Sequence, residues 1–470
     1  MTENPVVLSA THDRVAAASQ LDAAWGAFLP RVDFEFGYAQ EQLDSPTTRL
    51  LRERYRFFGH GEGSVSVRQT LFDGFGLQRQ LDRTRAALKA SDYTVTGTAE
   101  QVALDTVAAY LDVLRRQRTV ALAQDNVDGH RQIRDMIRLR VGARVSRRSD
   151  LDQSDSRLAL ALANLRQEKG ARADAESTYR RLVGRTPEAL EFPEVPMRQL
   201  PGVWGRPLEA GATVTAAVST AEADTAAAAA MPAPTEARPA ATDGGDDADA
   251  QFSALTGELA DVEGRYGQAM LDTQNDAVKA AMDRHPSVLA AREAVRSAQA
   301  AIGAAKAVYY PTLSTELTHS EFDDVVRQTN KDTSLGLRLR WNLFSGGIDR
   351  ANVSLAAARH DRALSEQQRI ERQITDTLSQ AGFDLLTIRD RRASLGLYAE
   401  SVLRARRAYE LQYSIGQRSL LDLVNSQDEL YNARTAVANA EFTEAFAVYR
   451  VLQAMGRLLP ALDVPTPGAY

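Results

Sequence analysis

The sequence predicts a mostly helical protein with a β-barrel part, built from two copies of one structural unit. Three observations predict it. Asn4-Pro5, Phe28-Leu29-Pro30 and Thr70-Leu71-Phe72-Asp73-Gly74 reappear as His285-Pro286, Tyr309-Tyr310-Pro311 and Asn342-Leu343-Phe344-Ser345-Gly346, with 25 residues from proline to proline in both copies. Self-similarity on this scale means one unit used twice. No proline lies between Pro46 and Pro187, or between Pro311 and Pro460, which leaves room for very long helices because an interior proline costs about 3 kcal/mol. Ahead of each long helix the apolar period changes from 3.5 to 2, the mark of strands.

The first copy covers residues 1–186. Val32, Phe34, Phe36 and Tyr38 alternate with Asp33, Glu35 and Gly37, and Val65, Val67, Gln69 and Leu71 alternate with Ser64, Ser66, Arg68 and Thr70. Strands are therefore expected over about 30–40 and 62–72. Residues 40–60 between them, with Arg49, Arg52, Arg54 and Arg56, read as an external loop. Gly59-His60-Gly61-Glu62-Gly63 precedes a strand instead of opening a helix, so it reads as flexible loop and not as a dinucleotide site. A long helical hairpin follows over 74–184, where Leu104, Val107, Leu111 and Leu114 take the 3,4 spacing of a coiled-coil seam. A helix from Gly74 to about Leu139 spans on the order of 100 Å at 1.5 Å per residue.

Residues 187–251 are rich in Ala, Pro and Asp, as in Ala226 through Ala230 and Asp243-Gly244-Gly245-Asp246-Asp247, and predict a disordered acidic linker. The second copy covers 252–460. Helix resumes near Phe252, and strands are expected over about 311–319 and 333–344. In the latter, Leu335, Leu337, Leu339, Trp341 and Leu343 alternate with Gly336, Arg338, Arg340 and Asn342. The second hairpin spans 346–458, with Val448, Leu452, Met455 and Leu459 on its seam, and 461–470 form a tail.

Each strand has roughly the 9–11 residues that cross a bilayer at a tilt, apolar on one face and polar on the other. Tyr38, Tyr309, Tyr310 and Trp341 near the strand ends suit an interfacial aromatic girdle. Four strands cannot close a barrel, and open edges cannot sit in lipid. Identical chains must supply the rest: two give eight strands and little lumen, three give twelve and an open channel, so a trimer is favoured. The competing reading is a soluble coiled-coil scaffold carrying two incidental hairpins.

Composition narrows the classes. Net charge −6 argues against nucleic acid as a partner, and mean hydropathy is −0.33. Zero Cys excludes disulfides, thiolate metal sites and Cys nucleophiles. Six scattered His show no metal-ligand spacing, and neither a nucleophile elbow nor a Walker turn occurs. No catalytic constellation, cofactor or metal is expected. The lead-in helix before His285, residues 275–284, has no counterpart before Asn4, so a longer natural N-terminus with a signal peptide is expected.

The two-copy layout, the Leu-Phe-Asp/Ser-Gly strand ends and the repeated Gly…Asp-Leu turns resemble the TolC family of outer-membrane channel proteins. Gly142 with Asp150-Leu151-x-x-Ser154-x-x-x-Leu158 returns as Gly416 with Asp422-Leu423-x-x-Ser426-x-x-x-Leu430, and Tyr413 through Asp422 is the best local match. The resemblance covers nearly all of the chain outside 187–251. It implies a homotrimer with a barrel in outer-membrane lipid and a long helical α-barrel, a periplasmic tunnel. The tunnel would dock onto a periplasmic adaptor protein and an inner-membrane ABC transporter or proton-driven pump. The style of the strand ends looks more like channels of type I protein secretion; small-molecule efflux is the alternative.

By the same resemblance, Tyr413 and Arg418 would hold a periplasmic gate closed against Ser149 and Asp150. Asp422 would line the pore constriction, with Asn425 at the second position of that kind, leaving one ring of carboxylates in place of two and a weaker pull on cations. Gly142 to Asp150 is eight residues and Gly416 to Asp422 six, so the first turn is expected to be the longer. Its Arg144, Arg147 and Arg148 would give an adaptor-facing basic patch.

Overall fold

The computed structural model of the chain describes residues 4–42, 44, 46–50, 52, 57–205, 270–323 and 329–465. Helix α1 (Pro5–Gly26) leads to strand β1 (Arg31–Glu41), a short α2 (Pro46–Leu50) and strand β2 (Phe58–Phe72). Helices α3 (Gly76–Gly142) and α4 (Arg148–Val183) form the first hairpin. After α5 (270–284) come α6 (Pro286–Lys306), β3 (Thr312–Asp323) and β4 (Thr329–Arg340). The chain then forms α7 (Ile348–Ser414), α8 (Leu420–Ala454) and the four-residue α9 (Leu458–Ala461). Helices α3 and α7 have 67 residues each.

The repeated strand-end motif sets where those two helices start. The Asp73 carboxylate accepts the Leu77 N–H at 2.7 Å, and Gly74 turns the chain at φ 69°, where a Cβ would lie 2.6 Å from Tyr310 Cβ. In the second copy the Ser345 hydroxyl accepts the Asp349 N–H at 3.4 Å, and Gly346 and Gly347 take φ 63° and 88°. Each cap satisfies an N–H that a first helical turn leaves orphaned, worth about 1 kcal/mol.

The described residues group into two compact units. One contains the sheet with α1, α6 and the first parts of α3 and α7. Its four strands form an antiparallel meander in the order β1-β2-β3-β4, leaving β1 and β4 as edges. Register partners share a face. One face carries Val32, Phe34 and Phe36 of β1, Val65 and Val67 of β2, Leu313 and Leu317 of β3, and Leu335, Leu337 and Leu339 of β4. Much of it is left uncovered among the described residues, where Phe34 and Leu337 are each 72% exposed and Val67 and Leu313 are half-buried. The opposite face is polar, and there Glu316 bridges Arg68 (3.3 Å) and Arg338 (3.0 Å) across three strands.

Two strand expectations are corrected. Gly59, Gly61 and Gly63 are part of β2, opposite Gln40, Tyr38 and Phe36, and are not loop. The glycines make room for the rings across the ladder: a Cβ on Gly59 would lie 2.4 Å from Tyr38 Oη. Strand β4 ends at Arg340, so Trp341, Asn342, Leu343 and Phe344 belong to the connection to α7 and not to the strand. The indole N–H of Trp341 donates to the Tyr309 carbonyl at 3.1 Å.

The other unit holds the remaining lengths of α3 and α7 with α4, α5, α8 and α9. Residues 187–205, expected as linker, are ordered in it. Short 3₁₀ turns at Met197–Gln199 and Gly202–Gly205 seat Trp204, 0% exposed, over Gly382 of α7. The buried indole, Leu200 at 6% exposure and the Phe192–Phe442 ring contact together anchor a stretch whose composition opposes order. Residues 206–251, and the helix expected from Phe252, lie outside the described residues up to 269. Deeper in the unit Arg389 and Glu444, 4% exposed each, pair at 3.2 Å, and Arg392 adds a 2.9 Å contact to the same carboxylate.

Burial shifts two titratable groups in this unit in opposite directions. Burial pushes the Glu100 carboxyl up to about 7, against the opposing effect of N–H bonds from Leu459 and Leu458. Burial lowers the His285 imidazole to about 4. A raised acid pKa favours folding at low pH, so the Glu100 contribution is lost as pH rises from about 4.5 through about 7. The neutral His285 contribution is present above about 6.5 and lost as pH falls through about 4. Glu100→Gln is therefore expected to raise the thermal midpoint at pH 8 and leave it nearly unchanged at pH 4.5. Melts across that range check it, and an equal shift at both ends would refute the assignment.

Candidate functional site

The residues singled out from sequence gather at the ends of the two helical hairpins. At the end of α7, Gly416 takes φ 82° and the Gln417 N–H donates to the Gln412 carbonyl at 2.9 Å. Ser419 then caps α8: its hydroxyl accepts the Asp422 N–H at 3.2 Å, while the Asp422 carboxylate accepts from the Ser419 hydroxyl (2.8 Å) and N–H (3.3 Å). These bonds, the hydroxyl first, hold the Asp422 carboxyl below the usual range. The carboxylate is thus charged at any physiological pH.

The first hairpin makes the same turn with different residues. The Val145 N–H donates to the Arg140 carbonyl at 2.9 Å, Arg144 takes the left-handed position at φ 60°, and the Asp150 carboxylate accepts the Arg147 N–H at 3.2 Å. Arg144 to Asp150 is six residues, as is Gly416 to Asp422. The expectation of a longer first turn is therefore overturned. It took Gly142 as the counterpart of Gly416, but Gly142 is the last residue of α3 and an arginine occupies the strained position. A non-glycine residue there costs roughly 1–2 kcal/mol.

Tyr413 is buried against Ile133, Ile137, Leu420, Leu423 and Val424, with the Arg140 guanidinium 4.9 Å from its ring centre and donating to its carbonyl at 3.2 Å. Arg418 lies over the Tyr409 ring at 4.4 Å, donates to Gln412 at 3.0 Å and stands 3.8 Å from Asp422. Ser149, Arg147, Arg148 and Asn425 are exposed. Among the described residues the chain brings Arg418 to Asp422, and it brings neither Tyr413 nor Arg418 to an ion pair or hydrogen bond with Ser149 or Asp150.

Sequence reasoning missed the polar layer behind these ends. His130 of α3, 2% exposed, meets Asp428 of α8 at 2.8 Å, and Arg157 of α4 reaches the second oxygen of that carboxylate at 3.3 Å. Gln427 donates to Asn126 at 3.0 Å directly above Gly129, where a Cβ would lie 2.5 Å from the amide. The signal was present: His130 falls on the buried stripe of Val127, Ile133 and Ile137, where a polar side chain needs a partner.

The model of the family described as outer membrane efflux protein matches residues 1–185 and 277–457. The outer membrane efflux protein BepC of Brucella suis is 22% identical over 407 residues, covering 85% of this chain and 72% of that protein. Outer membrane protein OprJ of Pseudomonas aeruginosa is 26% identical over 183 residues, 37% of each chain. Among solved structures, the Campylobacter jejuni CmeC outer membrane channel superposes with a TM-score of 0.72 at 14% identity, over 97% of this chain and 84% of that one. The outer membrane protein VceC of Vibrio cholerae gives 0.69 at 13% identity, over 97% and 93%. With its paired 67-residue helices, its four-stranded sheet and a family match over most of its length, the chain belongs to the outer membrane efflux protein family and is an outer-membrane channel of the TolC type.

Proposed function

We propose that three copies of the chain form a passive exit duct, gated at the hairpin ends and energised by partners. One observation carries this reading: a four-stranded sheet with two open edges and an uncovered apolar face. Each backbone group left unpaired in lipid costs several kcal/mol, so β1 and β4 must pair with sister copies. Two copies give eight strands, whose side chains fill the interior; three give twelve and a lumen. Extraction of the full-length product with outer-membrane detergent fractions, followed by oligomer mass, tests this. A monomer of the extracted protein would overturn the three-copy assembly.

The gate would lie between copies, Arg418 and Tyr413 of one against Ser149 and Asp150 of the next. Arg418 is exposed enough to exchange its place on Tyr409 for such a bond, and exposed pairs are worth only about 0–1 kcal/mol each. A docking partner can therefore open it. Asp422 and Asn425 would line the constriction, and Gly142, Arg144, Arg147, Arg148 and Gly416 would face a periplasmic adaptor serving an inner-membrane pump. Arg418→Ala and Asp150→Asn, the second of which keeps the helix cap, are expected to raise single-channel conductance in planar bilayers. Intact trimers with unchanged conductance would remove both residues from the gate.

Two readings of the cargo each have support. The Leu-Phe-Asp-Gly and Leu-Phe-Ser-Gly-Gly strand ends favour a secreted protein in a type I pathway. The relative matched over most of the chain is named an efflux protein, which favours small molecules. Deleting the gene and comparing the culture-medium proteome with susceptibility to antibiotics and detergents separates them.

A further inference from the structure

The polar face of the sheet is divided by charge along the strands. At the end next to the helices Arg31 of β1 is the register partner of Arg68 of β2, which is the partner of Glu316 of β3. Toward the same end Arg338 stands opposite Ser314, and Arg340 opposite Thr312. Beyond them, toward the opposite end, the same face carries Glu35, Glu62 and Asp332. The arginines are only partly neutralised. Glu316 is shared between Arg68 and Arg338, Asp33 takes Arg31 at 2.9 Å, and Arg340 has no carboxylate within 4.0 Å among the described residues. Four arginines against two carboxylates leave a positive excess in each copy, and the next rows are acidic.

We propose that this basic band is a binding site for multivalent oxyanions inside the barrel. The inference rests on the duct reading, which turns the polar face toward the lumen and places three such bands in one ring. Neighbouring strands lie about 4.8 Å apart, so the guanidinium groups of Arg31 and Arg68 on adjacent strands reach one anion together, with Arg338 and Arg340 two strands beyond Arg68 in the same band. Guanidinium forks match phosphate and carboxylate groups bidentately, and low-dielectric walls around a narrow opening concentrate their field. The acidic rows beyond repel the same anion, so it is held at the band and not spread along the barrel. An anionic cargo would pause there on its way out.

The test uses the full-length protein in planar bilayers at low ionic strength, where screening is weakest. Inorganic triphosphate is added on the barrel side. Voltage-dependent block is expected, with the half-blocking concentration rising about ten-fold or more in Arg68→Gln/Arg340→Gln. It should fall several-fold in Glu316→Gln, which removes the shared counter-charge. Oligomer mass and triphosphate-free conductance establish that each variant has assembled. Channels that pass current unhindered by triphosphate, or block that neither substitution moves, would overturn the proposal while leaving the duct intact. Absence of any channel from purified trimers would overturn both.

Discussion

Leu337→Arg should all but eliminate assembled protein from the outer membrane, whereas Ser334→Arg, three residues away on the other face of β4, should leave most of it in place. Leu337 stands between Leu335 and Leu339 on the uncovered apolar face, and Ser334 partners Thr318 on the polar one. An arginine facing lipid costs about 2–4 kcal/mol near the bilayer midplane. In a closed assembly every copy carries that cost, so the penalty is multiplied while the benefit of closure stays the same. On the polar face the same side chain meets water. Immunodetection in membrane fractions, with oligomer mass, reads both variants. Equal recovery of the two would mean that the faces have been assigned the wrong way round.

Glu444→Leu should be the most damaging single change in the helical unit. It strands Arg389, 4% exposed, without its carboxylate, and loss of one partner of a buried pair typically costs about 3–5 kcal/mol. Arg392 lies nearer solvent and can turn outward, so it does not share the burden equally. Arg389→Met/Glu444→Leu should recover most of the loss, because apolar side chains of similar volume fill the space without an unpaired charge. Denaturant midpoints of the two variants check this. A double variant as unstable as the single one would show that packing, and not charge, sets the cost.

The fold was legible wherever a pattern repeated. Proline punctuation and the 3,4 seam located the long helices, and alternation from Val32 to Tyr38 and from Leu335 to Leu339 located strand faces. What stayed hidden depended on partners distant in sequence. Gly59, Gly61 and Gly63 read as loop because nothing local reveals that aromatic rings of β1 lie across from them. Trp204 helps order a stretch whose composition suggests none, since its seat on Gly382 is nearly two hundred residues away. At the hairpin ends a glycine was the natural marker for a left-handed residue, and Arg144 takes that conformation without one. The pairing of Asp428 with His130 and Arg157 belongs to three separate helices and leaves no motif.

The equal length of α3 and α7 constrains how this molecule can change over evolutionary time. Both descend from the sheet and end in turns of one design, so an insertion or deletion in either alone would leave one tip protruding by about 1.5 Å per residue and rotated by 100°. Growth or shortening of the stem can therefore be accepted only as matched edits in both halves of the gene. Relatives of different reach should differ by the same number of residues in each half.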